Sequence, residues 1–222
     1  MPAGLIAAIC LLLLLLLWPF ILMDFMLIAL YKLGISPLAG LGIILCIILG
    51  SLINIPLKRI KTVSKVPTDL PRLLGLDPWF FRHIYQRNEL IIAVNIGGCI
   101  VPAALALYQL ARLFNAGMIL MPVIVIIINV LICYRLSEIK SGVGVMLPAF
   151  VPGVMAAFCG LILTPQNPPA AAFCAGILGP LIGADILRLN EIIKLNSGVA
   201  SIGGAGTFDG IVISGFIALL LS

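Results

Sequence analysis

Long apolar runs broken by short polar clusters set the rhythm of this chain. Seven runs are long enough to read as membrane-crossing helices of ~20 residues. They cover residues 5–31, 37–55, 89–111, 116–134, 142–163, 170–187 and 198–221. The breaks carry turn chemistry. Pro56 ends the second run, and Thr164-Pro165-Gln166-Asn167-Pro168-Pro169 separates the fifth from the sixth. Residues 57–88 form the one long polar connection, whose second half, from Asp77 on, reads as a short interfacial helix. The expectation is an all-α integral membrane protein, a single membrane domain over 1–222. The last helix is expected to be interrupted at Gly203–Gly206, where three glycines stand in four positions. The first run lacks a basic leader and a small-residue cleavage site, so it reads as a retained helix.

Composition agrees with this layout. The 222 residues are 63% hydrophobic and 9% charged, with mean hydropathy +1.28, which excludes an ordinary soluble domain. The net charge of +5 does not point to nucleic acid, because the cations flank the apolar runs. With the 57–88 connection in the cytoplasm, that side holds Lys58, Arg59, Lys61, Lys65, Arg72, Arg82, Arg87, Arg135, Lys140, Arg188 and Lys194. The other side holds Lys32 and Arg112. Eleven cations against two predict a cytoplasmic N-terminus and an outer C-terminus. The expected setting is a bacterial or archaeal cell membrane crossed several times, with the lipid bilayer as the main partner.

Six cysteines lie inside apolar runs without CxxC spacing, and the lone His83 sits in the aromatic, basic stretch Trp79 to Tyr85. Neither pattern calls for a metal, a cofactor or a nucleophile–histidine pair. Asn54, Asn95 and Asn129 suit hydrogen bonding between helices. Asp24 lies near the end of the first run, where Lys32 could pair with it.

Two carboxylates stand out. Asp185 follows Gly183-Ala184, and Asp209 follows Gly203-Gly204-Ala205-Gly206-Thr207-Phe208. An ionisable group at membrane depth costs ~2.5–3.5 kcal/mol on insertion scales, which marks it as a functional candidate. The two lie on consecutive antiparallel runs, so they can meet, share a proton and activate water. The plainer alternative for Asp185 is an ion pair with Arg188, three positions on. Asp185 and Asp209 are the candidate catalytic pair. Gly183, Gly203, Gly204, Gly206, Thr207, Asn95 and Pro148 are the candidate binding residues around it.

The stretches Lys32-Leu33-Gly34-Ile35-Ser36-Pro37, Gly50 to Leu57, Asn95-Ile96-Gly97-Gly98, Gly183-Ala184-Asp185 and Gly203 to Gly210 resemble a bacterial and archaeal family of polytopic membrane proteins, a domain of unknown function. That resemblance implies no activity. The glycine–aspartate motifs and Pro148-Ala149-Phe150 are also similar to the Gly-x-Gly-Asp and Pro-Ala-Leu signatures of intramembrane aspartyl proteases, the presenilin, signal-peptide-peptidase and prepilin-peptidase group. This second resemblance implies peptide-bond hydrolysis by Asp185 and Asp209, with a transmembrane protein or peptide as substrate. Two other functions use the same features. An ion-coupled transporter for protons or sodium would place Asp209 at a discontinuous helix. A membrane scaffold would need neither acid for chemistry.

Overall fold

A computed structural model describes residues 2–63, 87–140, 144–195, 198–204 and 210–222. Most of the 57–88 connection, including the stretch from Asp77 with His83, and the segment Ala205 to Asp209 lie outside the described residues. The architecture is mostly helical but not all-α, which corrects the expectation from sequence. Helix α1 runs Pro2–Lys32 and α2 Pro37–Gly50. Strands β1 (Asn54–Val63) and β2 (Arg87–Asn95) follow. A π-helical turn, Ile96–Ile100, leads into α3, Val101–Asn115. Then come α4 (Leu120–Leu136), β3 (Glu138–Lys140), β4 (Gly144–Met146) and α5 (Phe150–Leu163). Helix α6 (Pro168–Pro180) continues as a π-helical segment, Leu181–Ile186. Short α7 (Leu189–Leu195), β5 (Gly198–Ile202) and α8 (Gly210–Leu221) complete the described chain.

Among the described residues, three helical stretches are long and apolar enough to cross a membrane: Leu11–Lys32, Ile96–Asn115 and Pro168–Ile186. Four shorter apolar helices, α2, α4, α5 and α8, occupy the remaining expected runs. The starts of α2 and α6 follow local rules. Ser36 accepts from the Ala39 N–H ahead of α2, and Asn167 accepts from the Ala170 N–H ahead of α6, each with proline at the first turn. Gly34 and Gly117, at φ +74° and +70°, follow the ends of α1 and α3.

The differences from the expected runs lie at one end of the bundle. The second run stops being helical at Gly50, which packs directly on Ile96 and Gly97 of the π turn. The third run begins as a strand. Leu90 to Val94 is rich in β-branched residues, and a short apolar run of this kind does not by itself distinguish strand from helix. Here β2 pairs antiparallel with β1 and parallel with β5, so it is the central strand of a three-stranded sheet. The seventh run likewise starts as a strand, β5, and its described helical part is Gly210–Leu221.

Helix α6 is the axis of the packing. Every residue from Ala170 to Pro180 is buried, and α3, α4, α5 and α8 surround it. Its small side chains permit this closeness: a methyl on Gly176 would lie 2.9 Å from the Ala218 Cβ of α8. At the end away from the sheet, cations close the helices. The Lys32 ammonium donates to the carbonyls of Leu219 (3.2 Å), Leu220 (2.8 Å) and Ser222 (3.3 Å), at the C-terminus of α8. Arg112 donates to the Leu33 carbonyl at 2.7 Å.

Candidate functional site

The sheet and the helix ends meet in a buried polar knot. Asn95, fully buried at the end of β2, donates to the Ser51 carbonyl at 2.7 Å and to the Asn54 side-chain oxygen at 3.1 Å. Its own oxygen accepts from the Gly98 N–H at 2.7 Å, capping the π turn. Ser201 of β5 donates to the same Asn54 oxygen at 2.6 Å. The strand register explains the convergence: Asn54 faces Asn95 and Ser201 faces Ala93, so all three project from one side of the sheet. Asn95 is therefore a structural cap joining α2, β1 and β2. Neither Ser201 nor its link to Asn54 is legible in the sequence, because it depends on strand pairing.

Beside this knot two double-glycine turns interlock. Gly203 has φ +65°, and a Cβ there would lie 2.8 Å from both the Cys99 Cβ and the Gly98 carbonyl carbon. A Cβ on Gly98 would overlap the Gly203 carbonyl oxygen. Both positions require glycine, Gly203 for its backbone angle and both for the contact. Gly204 sits against Ser201, where a methyl would overlap the hydroxyl. Gly183 has a different task. It is buried against α4, and a methyl there would overlap the Val130 carbonyl. It lets α6 approach α4 and does not face the cavity described below.

Asp185 connects these glycines to that cavity. It belongs to the π-helical end of α6, is half-buried, and accepts from the Gly203 N–H at 3.2 Å. Asp185 and Pro148 line one cavity of about 650 Å³ with Gly210, the residue after Asp209. The remaining walls are mostly apolar: Val145 and Met146 from β4 and Leu147 after it, Pro180 from α6 and Ala184 from its π-helical end, and Ile211 from α8. Glu138, at the start of β3, is a second acid on the same wall. The sequence does not single out Glu138, because it looks like a charged flank of the fourth run. Only the hairpin turns it toward the cavity. Thr207, Gly206 and Asp209 lie outside the described residues.

Arg188 is held elsewhere. It donates to the Ser137 hydroxyl at 2.7 Å, the Tyr134 carbonyl at 2.6 Å and Glu191 at 3.2 Å, and stacks over the Tyr134 ring at 4.6 Å. It ties the stretch after α6 to the end of α4.

Other polar groups lie deep in the bundle. Asn129 donates to the Ala175 carbonyl at 2.7 Å, as expected of an interhelical hydrogen bond. Its own side-chain oxygen and the Ser214 hydroxyl are buried with no hydrogen-bond partner among the described residues. A second cavity, about 210 Å³, lies at the far end among Met118, Met121, Thr164 and Asn167. Of the cysteines, Cys99, Cys133 and Cys174 are buried, Cys159 is half-buried and Cys46 is exposed; all five are free thiols.

The chain belongs to the family described as "Protein of unknown function (DUF1614)", which matches residues 48–221. The match covers the sheet, both glycine turns and the cavity. It begins after α1 and after most of α2, and so after the Lys32–Pro37 stretch. No curated protein and no solved structure matches the chain.

Proposed function

We propose that this protein is an intramembrane aspartyl protease-like hydrolase acting with Asp185 and Asp209. The observation that carries this reading is the shared cavity: Asp185, Pro148 and the residue following Asp209 border one space. In the reaction one carboxylate, as the base, takes a proton from water while the oxygen attacks the scissile carbonyl. The other, protonated, donates a hydrogen bond to that carbonyl. The C–N bond then breaks, and the new amine takes up a proton. Like charges at close range keep one proton between them, which supplies both forms at once. The substrate is a transmembrane protein or peptide unwound at the cavity.

Depth supports access to water. An open sheet edge is not tolerated in hydrocarbon, so the β1 edge belongs at the membrane boundary. Asp185, bonded to Gly203 beyond β5, belongs at about the same depth. We assign seven crossings with a cytoplasmic N-terminus in the cell membrane. The separation of cations to two ends supports that orientation. Lys32 and Arg112 cap helices at one end, and Lys58, Arg59 and Arg188 lie with the sheet and the cavity at the other.

The test is cleavage of a co-expressed membrane substrate in lipid by wild type, Asp185→Asn and Asp209→Asn. Both variants are expected to insert and to lose cleavage by several orders of magnitude, since the pair acts as a unit. Unchanged cleavage in either variant removes the pair.

A proton- or sodium-coupled transporter is the second reading. The buried oxygens of Asn129 and Ser214, without a partner among the described residues and between cavities at opposite ends of α6, favour it. Coupled flux in vesicles that disappears with Asp209→Asn, without cleavage of any substrate, selects this reading over the first.

A further inference from the structure

Asp24 lies far from the cavity and is not engaged by Lys32, whose ammonium is on the α8 carbonyls. Eight residues separate it from Lys32, or ~12 Å along the helix. That depth is close to the middle of a hydrocarbon layer ~30 Å thick whose edge lies at Lys32. Asp24 is exposed on the outside of the bundle and makes no hydrogen bond or ion pair among the described residues. Helix α1 packs inward through Leu27, Leu30 and Leu33. Its opposite face presents Leu17 (52% exposed), Ile21 (41%), Ile28 (57%) and Tyr31 (71%), with Asp24 at the centre. The spacing 17, 21, 24, 28, 31 is the alternating four-and-three step by which one helix meets another.

We propose that this face of α1 docks a transmembrane helix of another protein, one with a lysine or arginine at mid-membrane depth. Lipid chains satisfy the leucine and isoleucine surface but not a carboxylate. A second copy of α1 would bring Asp24 against Asp24, and even with one proton shared between them a carboxylate charge would stay unbalanced, because no cation stands on this stretch. A partner cation at the same depth pairs the charge and leaves the apolar stripe in helix–helix contact. The proposal is independent of the chemistry at Asp185, because α1 precedes the family match and does not line the cavity.

The probe is a synthetic leucine–alanine helix with one central lysine, carrying an acceptor dye. It is reconstituted with donor-labelled full chain in phosphatidylcholine vesicles and read by energy transfer. The lysine helix is expected to associate about ten-fold more tightly than the same helix with glutamine, the scale of polar contacts between membrane helices. Asp24→Asn should abolish that preference and Asp24→Glu should keep it, which separates charge pairing from a folding defect. Equal association of the two helices with wild type overturns the proposal, as does a preference that survives Asp24→Asn. Self-association of the full chain that Asp24→Asn abolishes also overturns it, in favour of a second copy.

Discussion

Two stretches of this chain make the same move with different outcomes. In the first, β2 ends at Asn95, turns through Ile96-Gly97-Gly98 and becomes α3 at once. In the second, β5 ends at Ile202 and turns at Gly203-Gly204, and α8 is described from Gly210. The strands are parallel neighbours, and the two glycine turns touch at Gly98 and Gly203. The first turn is satisfied locally: the Asn95 oxygen takes the Gly98 N–H. The second is satisfied from a distance, by the Asp185 carboxylate of α6. A turn capped from within its own segment is a closed structural joint. A turn held by an acid from another element leaves that acid half-exposed, at the wall of a cavity. The carboxylate chemistry proposed here belongs to the second turn for that reason.

Substitutions should separate the joint from the site. The largest effect is expected for Gly203→Ala. It places a side chain at φ +65° and pushes it into Cys99 and Gly98, at a cost of about 2–4 kcal/mol. Thermal unfolding in detergent should show a clearly lowered midpoint; an unchanged midpoint would mean that the two turns do not interlock.

Asn95→Ala should follow, at about 2–3 kcal/mol, because it leaves the buried Gly98 N–H and Ser51 carbonyl without this partner. The same melting measurement checks it, and a loss below that of an exposed substitution would contradict the local-cap account. Asp185→Asn should cost less than about 1 kcal/mol, since an amide oxygen still accepts from the Gly203 N–H and the site is half-exposed. Its activity should nevertheless vanish. An Asp185→Asn protein as unstable as Asn95→Ala would make the acid a second structural cap and erase the contrast between the turns. Glu138→Gln should change stability by no more than about 0.5 kcal/mol, because the residue is exposed on a short hairpin. A shift in substrate preference at unchanged stability would place it functionally in the cavity wall.

Legibility differed between helices and sheet. The α6 run was readable from its prolines and apolar length, and its break after Thr164 from turn residues. The strands were not, because Leu90 to Val94 and Gly198 to Ile202 are short apolar segments adjoining longer ones. Hydropathy merges such segments into one run. The glycines announce an interruption of the last run at Gly203–Gly206; of that segment only Gly203, at positive φ, and Gly204 are described, and Ala205 and Gly206 lie outside the described residues.

Hydropathy alone determined that this is a membrane protein, and side-chain caps with proline at the first turn determined where α2 and α6 start. Those are local properties: transfer of side chains out of water and satisfaction of the first turn's N–H groups depend on nearby residues only. Tertiary structure decided the rest. It drew Asp185 onto Gly203 instead of leaving it on a solvated helix end, and it used Lys32 to cap α8, which left Asp24 without its expected partner. It also turned Glu138 into the cavity and placed Asn54, Asn95 and Ser201 on one face of the sheet. Apart from Glu138, which a local hairpin turns, each depends on groups far apart in the chain whose hydrogen bonds must be satisfied together once water is excluded.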